Sequence, residues 1–212
     1  WTWAGRAGGT YRSTYCSLLL ALSRRSLQGP RKTLDLAPSI HPLSRSLELN
    51  NNAAPVRIRV VGVGGAGGNA ISRIAARNPL GLELLALNTD VQALRLMPNI
   101  HTLAIGPSTT KGMGSGGDAT VGRKAIRESL NQVGQLVKDA DLVFIAAGMG
   151  GGTGTGAAPL VADLARKGGA LTVGVVTSPF TFEGKGRTKL AEEGLRALSQ
   201  KVDTIITIDN NR

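Results

Sequence analysis

A run of six glycines within nine residues carries the clearest chemistry in this sequence. It reads GMGGGTGTG, from Gly148 to Gly156. Glycine has no Cβ atom, so such a backbone can curl until several N–H groups point at one anion, and the two threonine hydroxyls can add hydrogen bonds. We therefore predict that this run binds phosphate.

A second glycine-rich run, from Gly62 to Asn69, has the same kind of chemistry. The glycines at 62, 64 and 67 match the dinucleotide pattern G-x-G-x-x-G, and Asp90 follows near the distance expected for an acid that binds a ribose. An NAD-dependent oxidoreductase is therefore one interpretation. Glycines that merely let a helix pack closely on a strand are another.

Two such runs at neighbouring strand ends favour one compact polyphosphate that is held from several sides. The sequence contains no G-x-x-x-x-G-K-[ST] motif, so there is no P-loop lysine. We expect the phosphate charge to be met by backbone amides, by a bound metal ion or by a distant arginine.

The elements that must position these runs begin at Arg57, where short apolar segments alternate with segments of helical spacing. Strands are predicted at 56–63, 82–87, 141–147, 170–177 and 203–208. Helices are predicted at 69–77, 119–137, 155–167 and 187–198, with Asp118 as an N-cap. This alternation predicts an α/β fold with a doubly wound, mostly parallel sheet, helices on both faces and ligands at the carboxyl ends of the strands.

Composition excludes several other classes of protein. The net charge is +11, but residues 1–56 hold seven Lys/Arg against two acids, and the basic residues that follow are scattered without aromatic neighbours, so no nucleic-acid partner is expected. The single Cys16 excludes a disulfide framework and a cysteine-rich zinc site, and His41 and His101 share no ligand spacing. No apolar run has the length of a membrane span.

Residues 1–55 are rich in Ser and Arg, poor in acids and broken by Gly and Pro. That composition is typical of an organelle transit peptide followed by a linker, and an ordinary disordered tail is the alternative. With a transit peptide, the expected location is a mitochondrion or a plastid. Without one, it is the cytoplasm.

Five motifs together resemble the tubulin/FtsZ family of division GTPases. They are GGGTGTG, VGVGGAGGN at 61–69, NTD at 88–90, GMGSGGD at 112–118 and VVTSPFTFEGKGR at 175–187. They occur in the order and at the spacing of that family, and the resemblance covers 57–212. It implies that 56–212 is a GTP-binding domain.

The resemblance also implies roles for individual residues. The two glycine runs would clasp the phosphates, the 114–117 loop would sense the terminal phosphate, Glu183 would accept from sugar hydroxyls, and Asn210 would read the guanine edge. The residues implied to bind GTP or GDP, with Mg²⁺, are Gly64, Gly65, Ala66, Gly67, Gly68, Asn69, Asn88, Gly114, Ser115, Gly116, Gly151, Gly152, Thr153, Gly154, Thr155, Thr177, Pro179, Glu183, Arg187 and Asn210. Asp209 and Asn211 depart from the Pro and Asp that the family often has beside this asparagine.

The family continues beyond the position matched by Arg212 with a central helix, an acidic loop and a second domain. In the family, the acidic loop of one subunit completes the active site of its neighbour in a head-to-tail filament. The resemblance therefore implies a GTPase subunit of a division filament, with other division proteins as partners. This chain by itself is expected to hold no complete catalytic set and to hydrolyse little GTP, and a non-catalytic, truncated filament subunit is the alternative.

Overall fold

A parallel sheet of six strands forms the centre of the part that the computed structural model describes, residues 56–77 and 82–211. The strands are β1 Ile58–Val63, β2 Glu83–Asn88, β3 His101–Ala104, β4 Leu142–Gly148, β5 Leu171–Ser178 and β6 Thr204–Asp209. Their order across the sheet is β3-β2-β1-β4-β5-β6, and each neighbouring pair is parallel. All their carboxyl ends therefore lie at one edge of the sheet.

Helices cover both faces of this sheet, as predicted. They are α1 Gly64–Ala75, α2 Val91–Arg95, α3 Pro107–Thr110, α4 Ala119–Glu128, α5 Leu130–Val137, α6 Gly152–Lys167 and α7 Lys185–Ser199, with a 3-10 turn at Thr181–Glu183. Alternate residues of β1 point to opposite faces. Val61 belongs to the large core cluster that α4 to α7 cover, whereas the Gly62 position faces Ile71 of α1.

The helices of the two glycine runs begin earlier than predicted, at Gly64 instead of 69 and at Gly152 instead of 155. Glycine has a poor intrinsic helix propensity, so sequence alone places these starts too late. The prediction of one continuous helix over 119–137 is wrong, because the segment forms two helices that are separated at Ser129. The Ser129 side chain is buried and accepts a hydrogen bond from the Gly106 N–H at 3.0 Å.

Other predictions hold within a few residues, and some elements were missed. Asp118 is confirmed as the N-cap of α4, since its carboxylate accepts from the Thr120 N–H at 2.7 Å. β3, α2 and α3 were not predicted from the sequence. The predicted leader, 1–55, lies outside the described residues. Among the described helices, none has the length and apolar character needed to cross a membrane.

Candidate functional site

A cavity of about 420 Å³ opens at the carboxyl edge of the sheet. This is the edge at which ligands bind in open α/β sheets. The lining comes from the segments that follow β1, β2, β4, β5 and β6 and from the loop between α3 and α4. Its residues are Val63, Gly64, Gly65, Ala66, Asn88, Thr89, Asp90, Ala93, Gly114, Ser115, Gly117, Gly148, Met149, Gly150, Gly151, Gly152, Thr153, Gly154, Thr177, Ser178, Pro179, Glu183, Arg187 and Asn210.

Two helix N-termini face this cavity without a side-chain cap. Neither Val63, before α1, nor Gly151, before α6, makes a side-chain cap hydrogen bond, and neither helix has an acid in its first turn. The first N–H groups of a helix have no partner within the helix and carry its positive end. Both helices therefore present free donors to an anion in the cavity.

Close backbone contact brings these two N-termini together. Gly64 has a φ of 74°, and a Cβ atom there would lie 2.9 Å from the Gly154 nitrogen. A Cβ atom on Gly154 would lie 2.6 Å from the Gly148 carbonyl oxygen. Glycine at 64 therefore lets the start of α1 approach α6, and glycine at 154 lets α6 begin close against the end of β4, so both glycine runs border one cavity.

The turn between β4 and α6 is held by hydrogen bonds within the fold. The Gly150 N–H donates to the Thr155 Oγ1 at 2.9 Å, and the Met149 N–H donates to the Thr177 carbonyl at 2.9 Å. Gly150 has a φ of 90°, a conformation that favours glycine. The turn that leads into the N-terminus of α6 is thus held in place by the fold itself.

On the far side of the cavity, Glu183 at the end of the 3-10 turn and Arg187 in the first turn of α7, four residues later, form an ion pair. The Glu183 carboxylate also accepts from the Phe180 N–H at 2.9 Å. The Phe180 N–H and then the Arg187 guanidinium lower the pKa of Glu183 below its ordinary value. Glu183 is therefore a carboxylate at neutral pH, able to accept hydrogen bonds from hydroxyl groups.

The two departures from the family pattern beside Asn210 have a structural role. The Asn211 Oδ1 accepts from the Thr181 N–H at 3.0 Å, and the Asn211 Nδ2 donates to the Asp209 Oδ1 at 2.8 Å. These bonds join the end of β6 to the 3-10 turn that carries Glu183. Asn210, which stands between Asp209 and Asn211 in the sequence, lines the cavity.

Fifteen of the predicted binding residues line the cavity, and five do not: Gly67, Gly68, Asn69, Gly116 and Thr155. The two buried glycines allow close packing instead. A Cβ atom on Gly67 would lie 2.2 Å from the Ala146 carbonyl oxygen, and one on Gly68 would lie 2.6 Å from the Met97 Cε. Asn69 and Gly116 are exposed, while Thr155 supports Gly150 from behind.

Some of the lining could have been found from the sequence and was not. Thr89 belongs to the NTD motif and is buried in the cavity wall, where its hydroxyl meets that of Thr153 at 2.7 Å. Gly117 belongs to the GMGSGGD motif, and Gly148 and Gly150 belong to the longer glycine run. Their motif membership was the available signal.

The strand order alone does not exclude a dinucleotide-binding protein, because the order 3-2-1-4-5-6 also occurs there. Asp90 argues against that alternative. Its Oδ1 accepts from the Gln92 N–H at 2.9 Å and from the Ala93 N–H at 3.2 Å, so it caps α2. Residues of the glycine run at 148–156 also line the cavity, whereas a dinucleotide site needs only the run at 62–69.

The cavity contains few charged groups. Asp90, Glu183 and Arg187 are the charged residues of its lining, and the described part of the chain holds no cluster of three or more His, Cys, Asp or Glu that could hold a metal. Backbone amides are therefore the main positive groups for an anion here. A metal ion would have to take most of its ligands from the bound anion and from water.

The fold and the site together define an α/β protein in which two uncapped helix N-termini face one cavity at the carboxyl edge of a parallel sheet, an arrangement that suits the phosphates of a nucleotide. Residues 57–212 match the model of the Tubulin/FtsZ family, GTPase domain. The chain belongs to this family. The resemblance seen in the sequence motifs is thereby confirmed, and so is the doubly wound parallel fold.

The family relationship extends to curated proteins and to solved structures. The chain is 48% identical over 164 residues to a cell division protein FtsZ of Pseudomonas aeruginosa, covering 77% of this chain and 42% of that protein. It is 50% identical over 166 residues to a cell division protein FtsZ of Buchnera aphidicola, covering 78% and 42%. The chain thus spans less than half the length of these curated relatives.

Among solved structures, an empty FtsZ dimer from M. jannaschii superposes with a TM-score of 0.72 at 46% identity, covering 74% of this chain and 46% of that one. A CetZ2 protofilament from Haloferax volcanii, bound to GTPγS, superposes with a TM-score of 0.67 at 28% identity, covering 74% and 50%.

Proposed function

We propose that this chain is the GTP-binding part of a filament-forming division GTPase. The observation that carries the proposal is the pair of uncapped helix N-termini, α1 and α6, that share one cavity. A polyphosphate between them would accept hydrogen bonds from both sets of N–H groups. A lysine is not needed, because the helix ends supply positive potential.

The rest of the nucleotide would extend along the edge of the sheet. From the phosphates between β1 and β4, the ribose would reach the segment after β5, where the Glu183 carboxylate can accept from its hydroxyls. The base would reach Asn210 at the end of β6. An asparagine amide offers both a donor and an acceptor, which suits the edge of guanine.

Mg²⁺ would enter with the nucleotide. Asp90 and Glu183 are the carboxylates of the lining, and each already accepts backbone N–H bonds. Mg²⁺ commonly binds through phosphate oxygens and retained waters. When bound, it would neutralise charge on the phosphates, while the chain's own amides hold and orient them.

Hydrolysis would need a water that attacks the terminal phosphate, with the developing charge met by preorganised donors. The lining supplies such donors at α1 and α6. It supplies no carboxylate or histidine that is free of other hydrogen bonds among the described residues. We therefore propose that a second subunit completes the site, as in a head-to-tail filament.

The structural relatives support self-association, because one of them is an FtsZ dimer and another is a CetZ2 protofilament. We further propose import into a mitochondrion or plastid, which the Ser- and Arg-rich, acid-poor composition of residues 1–55 supports. Expression of the leader fused to a fluorescent protein tests that part. Diffuse cytoplasmic fluorescence would reject it.

Displacement of a fluorescent GTP analogue tests the binding function. GDP is expected to displace it, whereas NAD at the same concentration is not. Displacement by NAD alone would favour the oxidoreductase. Phosphate release should stay low for this chain alone and rise when a full-length FtsZ relative is added. Turnover that rises with the concentration of this chain alone would reject the need for a second subunit.

A further inference from the structure

A second cavity, of about 290 Å³, lies between α4, α6 and the end of α7. It shares no lining residue with the cavity at the carboxyl edge of the sheet. α6 packs against both α4 and α7, so it forms the floor and the other two helices form the walls. α4 and α6 are in backbone contact beside the floor, because a Cβ atom on Gly156 would lie 2.2 Å from the Ala119 carbonyl oxygen. We call this cavity the α4–α6–α7 groove.

Two exposed arginines of α4, Arg123 and Arg127, line one wall of the groove. They are four residues apart, so they lie on the same face of the helix, about 6 Å apart along its axis. Neither guanidinium forms an ion pair or a hydrogen bond with another residue that the structure describes. Like charges at this spacing destabilise a helix, so this pair is stabilised by an anionic partner.

The acids near these two arginines are already bound to other groups. Asp163, the acid of the groove lining, pairs with the Lys201 Nζ at 2.9 Å and with the Lys167 Nζ at 2.7 Å. Glu128, the next residue of α4, accepts instead from the Ser108 N–H at 2.8 Å. The positive charge of the α4 wall is therefore not neutralised by these acids of the fold.

Between the charged walls, the surface of the groove is apolar. Pro159 and Leu160 of α6 and Ala197 of α7 contribute to it. Pro159 is buried, while Leu160 and Ala197 are half-buried, and Leu160 also packs against the main hydrophobic core. Lys201 adds a positive charge on the side of α7. The groove therefore suits a ligand that has an apolar strip beside negative charges.

An acidic amphipathic helix meets these requirements better than other ligands. Stacking of nucleic-acid bases needs aromatic side chains, and the lining of the groove contains none. A flat lipid surface would contact the walls but not the floor. A second copy of this chain carries the same net charge, +11. By contrast, carboxylates one helical turn apart match the spacing of the two arginines, and an apolar helix face fits a groove between helices.

We propose that the α4–α6–α7 groove docks an acidic amphipathic helix of another protein. Its apolar side chains contact Leu160 and Ala197, and its carboxylates pair with Arg123 and Arg127. This interaction goes beyond GTP binding, because the groove is separate from the cavity at the carboxyl edge of the sheet.

Fluorescence anisotropy with a defined peptide tests the docking. The probe is a labelled, helix-forming peptide of two heptads, with leucine at the first and fourth positions, glutamate at the fifth and seventh, and alanine elsewhere. Arg123→Gln/Arg127→Gln is expected to weaken its binding about fivefold, the effect of losing two exposed charge pairs. If the wild type bound this peptide no more tightly than a version with glutamine in place of glutamate, the proposal would be wrong.

Arg73→Gln/Arg77→Gln is the matched control. These arginines are also exposed and four residues apart, but they lie in α1 and just after it, and α1 covers the other face of the sheet. The control removes the same charge and should change peptide binding less than about twofold. Equal weakening by both double variants would attribute the effect to net charge and overturn the role of the groove. Circular dichroism establishes that each variant is folded.

Amide NMR spectra of the wild type locate the bound peptide. Its addition should shift the amide signals of Leu160, Ala197 and Lys201, which line the groove. Shifts confined to α1 or to the cavity at the carboxyl edge of the sheet would overturn the proposed position.

Vesicles and nucleic acid test the choice of occupant. Sedimentation with vesicles of phosphatidylcholine and phosphatidylglycerol, and anisotropy with a labelled single-stranded oligonucleotide, should give the same result for the wild type and for Arg123→Gln/Arg127→Gln. If the double variant lost binding to the vesicles or to the oligonucleotide while its peptide binding was unchanged, the groove would recognise a lipid surface or a nucleic acid, and the acidic helix would be wrong.

Discussion

Gly67 of α1 and Ala146 of β4 approach so closely that a Cβ atom on Gly67 would lie 2.2 Å from the Ala146 carbonyl oxygen. The contact is between backbone atoms, so no side chain can rotate away. It sets the distance between α1 and the sheet, and hence the position of the α1 N-terminus in the cavity. A glycine of the G-x-G-x-x-G pattern here acts through helix packing.

Gly67→Ala is therefore expected to destabilise the fold by about 1–3 kcal/mol, the usual cost of overpacking. Gly65→Ala is the matched control, because a Cβ atom there meets nothing within 4 Å and alanine is the better helix former. Urea denaturation measures both variants. Equal stability of the two would show that α1 can shift without cost.

A comparison of Gly106 with Gly169 distinguishes the cost of backbone strain from the cost of a steric contact. Both have a positive φ, of 64° and 89°, but a Cβ atom on Gly106 would lie 2.3 Å from the Ala125 Cα, whereas one on Gly169 has open space. Alanine at either position is strained by about 1 kcal/mol. We expect Gly106→Ala to lower the urea midpoint clearly more than Gly169→Ala, and similar midpoints would contradict the contact with α4.

Much of the sheet and of the cavity could be predicted because the signals are local. Apolar runs gave five of the strands, and the glycine runs marked the turns after β1 and β4. The break at Ser129 could not be predicted, because it depends on a hydrogen bond to Gly106, which is distant in sequence. β3 was missed because it is four residues long and half of it is exposed.

Sequence-based prediction has the same limit for the five predicted binding residues that do not line the cavity. A glycine in a phosphate motif can serve the ligand or the packing of the helix behind it, and both roles select glycine. Only the path of β4 shows that Gly67 faces a carbonyl. Likewise, Thr153 lines the cavity whereas Thr155 does not, because the Thr155 Oγ1 accepts from the Gly150 N–H behind the turn.

The pKa of Glu183 is expected to lie below the ordinary glutamate value, because the Phe180 N–H and the Arg187 guanidinium stabilise the carboxylate. A folded-state pKa lowered in this way contributes stability above the unfolded value of about 4.3, and that contribution is lost as the pH falls through the folded pKa. Titration of the Glu183 carboxyl by NMR measures it.

Arg187→Ala should raise the pKa of Glu183, though not fully to the ordinary value, because the Phe180 N–H remains. Lys185→Ala removes a positive charge two residues earlier that makes no ion pair among the described residues, and it should leave the titration nearly unchanged. If both variants raised the pKa of Glu183 equally, the positive charge of the surroundings, and not the ion pair with Arg187, would be the cause.

Asn211 is expected to control the mobility of the 3-10 turn that carries Glu183. Its Oδ1 is the acceptor for the Thr181 N–H, and its Nδ2 bonds the Asp209 carboxylate. Asn211→Ala removes both bonds, so the Thr181 amide should exchange faster and the 3-10 turn should hold Glu183 less firmly at the cavity. Hydrogen exchange read by NMR measures the Thr181 amide directly.

Asn131→Ala is the control for this variant, since Asn131 is exposed on α5, away from the cavity. Faster exchange at Thr181 in Asn211→Ala alone, together with weaker binding of fluorescent GTP, would show that residues beside Asn210 act by bracing the loop after β5. Unchanged exchange at Thr181 would mean that β6 and the 3-10 turn are held together by other contacts, and the bracing role of Asn211 would be wrong.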